Sequence, residues 1–207
     1  MVFLGRKYPN RGYGTIFKQW LFDESKPYNS FGNGAAMRVS PVGFICETEG
    51  QVKKVSKAVT EISHVHHEAI KGAEATAMAV FLARKAWHKA DIKVRITKEY
   101  YPELTQMSCD NIRKDYFFDS SCQGTVPQAL TCFFDSIDFE DAIRNAISLG
   151  GDSDTLAAIT GGVAEAYYGI PFWIKETALK FLDKDIIHYL SKILTWQFNM
   201  PKKIYNN

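Results

Sequence analysis

The 207 residues contain no apolar run long enough to span a bilayer, so no membrane-spanning helix is expected. They contain no polybasic arm either. Twenty-five basic and 23 acidic residues are spread along the sequence for a net charge of +2, so no nucleic-acid patch is evident and an anionic partner has to be recognised locally. Cysteine is sparse: Cys46, Cys109, Cys122 and Cys132 stand far apart, without metal-finger spacing. With no signal-peptide pattern in view, reduced thiols in a cytoplasmic protein are expected. Cys46 and Cys132 have apolar neighbours and read as packing residues, whereas Cys122, beside Gln123 and Gly124, is expected to be exposed. Internal repeats and low-complexity segments are also missing, which excludes repeat architectures.

What is present suffices for one sizeable core, since 46% of the residues are hydrophobic. A single domain over 1–207 is the expectation. Helical spacing dominates. Ile16, Phe17, Trp20 and Leu21 mark a helix over Thr15–Phe22; Val52, Val55, Val59 and Ile62 mark the inner side of another over Gln51–Ser63. From His66 to Lys89 the sequence is alanine-rich and suited to close helix packing. Residues 35–44 read as a helix kinked near Pro41. Ile92, Val94 and Ile96 alternate in a strand-like way, and Asp110–Ser121 reads as an irregular loop. Thr125 is placed to cap a helix with Pro127 in its first turn, and a further helix covers Asp138–Ser148. Phe172, Trp173, Phe181 and Leu182 are expected to cover the core, Asp185–Leu194 to form a last helix, and Lys202–Asn207 to fray.

Three constellations carry chemistry. Gly150-Gly151-Asp152-Ser153-Asp154-Thr155 opens a helix of small and apolar residues that runs to Gly169. Asp152 or Ser153 fits a helix cap. Asp152, Asp154 and Thr155 together also offer more oxygen donors than a cap needs, and adjacent carboxylates repel unless a hard cation such as Mg²⁺ or Ca²⁺ neutralises them. Ser30-Phe31-Gly32-Asn33-Gly34 is a glycine loop opening a helix, which suits either an ordinary helix entry or anion binding by backbone N–H groups. Arg38, one turn on, suits either a substrate contact or a structural residue holding an internal acid, and the structural role is the expectation. Ser63-His64-Val65-His66-His67-Glu68 is histidine-rich without zinc spacing; His66 and His67 suit a helix start or the surface, and Glu68 a first-turn acid. Among the aromatic residues, Tyr167 and Tyr168 are the candidates for stacking an adenine ring.

Taken together, the run Gly150–Gly169, the Ser30–Arg38 loop and the Ser63-His64 pair resemble the ADP-ribosylglycohydrolase family, which includes the dinitrogenase-reductase-activating glycohydrolases. The resemblance covers Arg6 to about Leu194. It implies a compact, all-α, orthogonal multi-helix domain, a short helix after Ile96, and a hydrolase that removes ADP-ribose from a modified acceptor by Mg²⁺-assisted attack of water, with Mn²⁺ as the other possible ion. It implies Asp152, Asp154 and Thr155 as metal ligands. Ser30, Gly32, Asn33, Gly34 and His64 are implied as contacts to ADP-ribose. Family members also carry an N-terminal portion with a Thr-Asp-Asp-Thr run that supplies the other half of a dimetal site and an acidic residue near the scissile bond. No Asp-Asp pair occurs in this sequence. The expectation is therefore an N-terminally truncated member whose metal binding and catalysis are impaired unless another chain completes the site, and whose catalytic acid is unidentified. The alternative is a catalytically silent module that binds ADP-ribose or a protein, and self-association is expected from apolar surface left uncovered.

Overall fold

In the computed structural model, residues 1–23 and 25–199 are described, with side chains to residue 192. The described residues form thirteen α-helices, one 3-10 turn at Pro102–Thr105, and two isolated β-bridges in place of any sheet. The all-α expectation is met. Two compact units are present, Met1–Gly169 and Ile170–Asn207.

In the first unit the order is α1 (Val2–Lys7), α2 (Thr15–Phe22), α3 (Gly34–Met37), α4 (Ser40–Ile45), α5 (Glu49–Glu61), α6 (His67–Arg84), α7 (Lys89–Glu99), α8 (Cys109–Asp115), α9 (Cys122–Asp135), α10 (Phe139–Ser148) and α11 (Ser153–Tyr168). Helix α6 is the centre. Its alanines, with Gly72, Thr76, Met78 and Leu82, are buried on nearly every side, and α3, α4, α5, α7, α9 and α11 all pack on it. Small side chains let the neighbouring backbones approach. A Cβ on Gly43 of α4 would stand only 2.6 Å from the Ala77 carbonyl, so that crossing tolerates no side chain.

The structure corrects several sequence readings. Residues 35–44 are two short helices broken at Arg38–Val39, with Pro41 in the first turn of α4; proline is tolerated there because its missing N–H has no intrahelical partner to lose. The Ile92/Val94/Ile96 alternation belongs to a helix that already begins at Lys89: Ile92 and Ile96 are buried one turn apart and Val94 is exposed. The expected loop over 110–121 contains α8, whose N-terminal N–H of Asn111 is capped by Ser108. Helix α9 starts at Cys122 under a Ser121 cap, not at Thr125, and Pro127 lies inside it. Helix α5 buries Val52, Ser56 and Thr60 while Val59 and Ile62 stay exposed. Close approach to α6 favours small polar residues there. Cys122 is fully buried, contrary to expectation, and its thiol is pushed up to about 12 by that burial. Cys46 and Cys132 are buried as expected, the latter with its sulfur 3.8 Å from that of Cys109.

The second unit holds α12 (Phe172–Leu179) and α13 (Lys184–Asn199). Phe172, Trp173 and Phe181 are exposed and no residue of α12 is buried, so the expectation that they cover a core is not met. The tail 202–207 and the side chain of Ile193 lie outside the described residues.

Candidate functional site

The loop at 30–34 is tied down from two sides. Its backbone bridges Ser121, with Asn33 N–H donating to the Ser120 carbonyl at 2.8 Å and Cys122 N–H to the Phe31 carbonyl at 2.8 Å. On the other side Tyr28 bridges His64 at the turn after α5. Ser30 Oγ accepts from Gly32 N–H at 3.1 Å, a local turn that shapes the loop before α3 begins.

Asn33 then links this loop to the acidic run. Buried to 7% exposure, its Nδ2 donates to Thr125 Oγ1 at 3.0 Å and to Asp152 Oδ2 at 2.6 Å. Both amide protons are thereby used. Thr125, fully buried on α9, passes its own proton to the Asp119 carbonyl at 3.0 Å. Thr125 and Asp119 carry no sequence signature that would have marked them. Thr125 was expected as a cap; its hydroxyl instead supports Asn33.

Gly150 and Gly151 adopt positive φ angles of 74° and 63°, which turn the chain from α10 into α11. Asp152 stands at the N-cap position, yet its side chain makes no capping bond and is turned to Asn33. Its acidity is weakened by burial first and by the carboxylate of Asp154 close by, and restored in part by Asn33 and Thr155. Thr155 is buried and donates to Met37 Sδ at 3.6 Å. Asp154 is exposed. Two carboxylates and a hydroxyl thus meet beside the loop at 30–34. Among the described residues no group of three or more His, Cys, Asp or Glu is arranged to hold a metal ion. The donor set is all oxygen, which suits a hard divalent cation in kind, while three protein donors leave half of an octahedral shell to water.

His64 faces the loop from the other side, 5% exposed, with its Nε2 edge 3.5 Å from where a Gly32 Cβ would lie. Burial, and secondly the charge of Arg38, push its pKa down to about 4. Arg38 does not hold an acid. Its Nη2 donates to Ser63 Oγ at 2.6 Å, and no carboxylate bears on it among the described residues. His66 caps α6 through Glu68 N–H, and Glu68 is a first-turn acid. Tyr167 and Tyr168 are misplaced as adenine candidates. They close the far end of α11, about 24 Å along the helix from Asp152, where Tyr168 Oη donates to the Ser136 carbonyl at 2.9 Å and both rings pack on Phe133. Aromatic residues near the site are Phe31 in the loop, Tyr28 with its ring 5.3 Å from that of His64, and Tyr116 beside Gly151. A Cβ on Gly151 would touch Tyr116, and Phe31, Phe117 and Phe118 are exposed.

A sequence profile of the ADP-ribosylglycohydrolase family matches residues 5–199. The chain belongs to the ADP-ribosylglycohydrolase family. Human ADP-ribosylhydrolase ARH3 is 26% identical over 224 aligned positions, covering 80% of this chain and 62% of that protein. ADP-ribosylarginine hydrolase Tri1 of Pseudomonas putida is 29% identical, covering 71% of this chain and 42% of that protein. A solved structure titled ADP-ribosylglycohydrolase-related protein complex superposes with a TM-score of 0.58 at 25% identity, covering 81% of this chain and 58% of that one. The chain therefore spans about 60% of the length of the ARH3 proteins it matches.

Proposed function

We propose that the chain is an ADP-ribosylglycohydrolase-type hydrolase, carried on one domain over 1–207, that removes ADP-ribose from a modified acceptor. The observation that carries this reading is the 2.6 Å contact between Asn33 and Asp152, which joins the glycine loop to the acidic run. Asp152, Asp154 and Thr155 would hold a divalent cation, Mg²⁺ or Mn²⁺, which when bound supplies charge stabilisation at the ribose oxygens and a more acidic water. The loop's role follows from its shape. Gly32 and Gly34 leave room for a diphosphate over the start of α3, Ser30 and Asn33 fix the loop's course, and His64 meets the ligand from the α5 side. Arg38, which has no carboxylate partner among the described residues, adds positive charge behind the anion. Phe31, Phe117 and Phe118 offer exposed rings for the adenine. No residue here is assigned as the general acid or base. A cytoplasmic location is proposed from the composition alone; no helix among the described residues is long and apolar enough to cross a membrane. Self-association is proposed from the exposed Met37, Ile45, Val59, Ile62 and Val65.

A second reading has its own support. With three protein oxygen donors and Oδ2 of Asp152 occupied by Asn33, the site favours sugar-diphosphate binding over tight cation binding. On that reading the chain binds ADP-ribose, or a protein that carries it, without turnover.

The test is release of ADP-ribose from peptides modified on arginine or on serine, with Mg²⁺ or Mn²⁺ present. Release that Asp154→Ala abolishes supports the hydrolase. Binding without release, insensitive to Asp154→Ala, favours the module.

A further inference from the structure

The buried turn after α5 contains a chain of hydrogen bonds whose direction is fixed by counting protons. A guanidinium has only donors, so in the 2.6 Å contact between Arg38 Nη2 and Ser63 Oγ the serine oxygen accepts. A hydroxyl has one proton to give. The other nitrogen or oxygen on Ser63 Oγ is His64 Nδ1 at 2.8 Å. Ser63 is fully buried, and no third partner for its hydroxyl is found among the described residues. The one arrangement in which no two protons face each other and the Ser63 hydroxyl is not stranded runs Arg38 to Ser63 to His64 Nδ1. Nδ1 is then an acceptor, and a neutral imidazole carries its proton on the opposite nitrogen.

That opposite nitrogen is the edge turned to the ligand loop. Cβ atoms on Gly32 and Gly34 would lie 3.5 and 3.9 Å from Nε2, and the absence of side chains at both positions leaves the approach open. We infer that Arg38 and Ser63 are positioning residues that hold His64 as the Nε2–H tautomer, so that its ring offers a hydrogen-bond donor to an oxygen of the ligand on the Gly32–Gly34 loop. The ligand part of this inference rests on the proposed ADP-ribose site; the tautomer part does not. The arrangement also selects. A neutral donor backed by the Arg38 charge favours phosphate oxygens or other acceptors and rejects donors at that point.

The experiment is a heteronuclear NMR spectrum of the imidazole nitrogens at pH 7, with His64 among the five histidines assigned by its loss in His64→Gln. The wild-type chain is expected to show protonated Nε2 and unprotonated Nδ1. In Ser63→Ala the Nδ1–H form is expected to appear and the Kd for ADP-ribose to rise about tenfold, the worth of roughly one hydrogen bond. Ser63→Thr keeps the hydroxyl and is expected to keep both. A wild-type His64 protonated at Nδ1, or an unchanged tautomer in Ser63→Ala, overturns the inference. If Ser63→Ala fails to fold, the wild-type spectrum alone decides. An Nε2–H tautomer in a chain that binds no ADP-ribose would refute the proposed function and leave the positioning assignment standing.

Discussion

Replacing Asn33 by alanine removes the side chain that joins the glycine loop to Asp152. Two hydrogen bonds go with it, a neutral one to buried Thr125 and a charge-assisted one to Asp152. A neutral bond contributes about 1 kcal/mol net and one to an ionised group about 1.5–3 kcal/mol. Asp152 is only half-buried, so water replaces part of what it loses. Thr125 is fully buried, and its hydroxyl keeps its own bond to the Asp119 carbonyl. A loss of about 2 kcal/mol is the expected result, which in a chain of this size lowers Tm by roughly 4–8 °C. Thermal unfolding followed by circular dichroism measures it. Thr125→Val, which removes the acceptor under Asn33, is expected to lose part of the same energy, and the double variant to lose less than the sum. A Tm within 1 °C of the parent in Asn33→Ala, or strict additivity in the pair, would refute the claim that Asn33 couples the glycine loop to Asp152.

Other outcomes are as specific. His64 is neutral in the fold down to about pH 4 but titrates near 6.5 when unfolded, so the unfolded chain binds the extra proton between those values and stability falls as pH drops through that window, by up to about 3 kcal/mol. Urea unfolding of His64→Gln is expected to lack that component, and an identical pH profile in both proteins would contradict it. Gly43→Ala is expected to cost about 1–3 kcal/mol, because its Cβ meets the Ala77 backbone and Val80, whereas Gly50→Ala, with open space around it inside α5, is expected to gain about 0.5–1 kcal/mol. Equal Tm values for the two would show that α4 does not press on α6 as described. Tyr168→Phe is expected to lose about 1 kcal/mol in the same assay and to leave ADP-ribose affinity unchanged, since its hydroxyl bonds Lys89 and Ser136 at the far end of α11.

How much of this was legible in the sequence depended on whether a residue's partner lay on its own element. Periodicity found α2, whose apolar face repeats along one helix, while alanine content marked α6 and first-turn acids marked α10. It misread residues 89–99, where three alternating aliphatics satisfy a helix and a strand equally and only the burial of Ile92 with Ile96 separates them. It missed α8 and the true start of α9, since the caps at Ser108 and Ser121 sit inside polar stretches that look like loop. At the site, Asp152, Asp154 and Thr155 stood out because three oxygen donors crowd one helix end. Thr125 and Asp119 could not, because their connection to Asn33 spans 92 and 86 residues of sequence and exists only once the helices pack. Tyr167 and Tyr168 fail for the complementary reason: they lie on the same helix as the acids but at its opposite end.

Calorimetric titration of ADP-ribose into the chain, with and without Mg²⁺, tests the shared site most directly. If the loop at 30–34 and the carboxylates of α11 serve one ligand, ADP-ribose binds with measurable heat, Mg²⁺ tightens that binding, and Asp154→Ala removes the effect of the metal while leaving the loop-dependent affinity. No binding under either condition, or binding that Asn33→Ala and Asp154→Ala leave untouched, would contradict it.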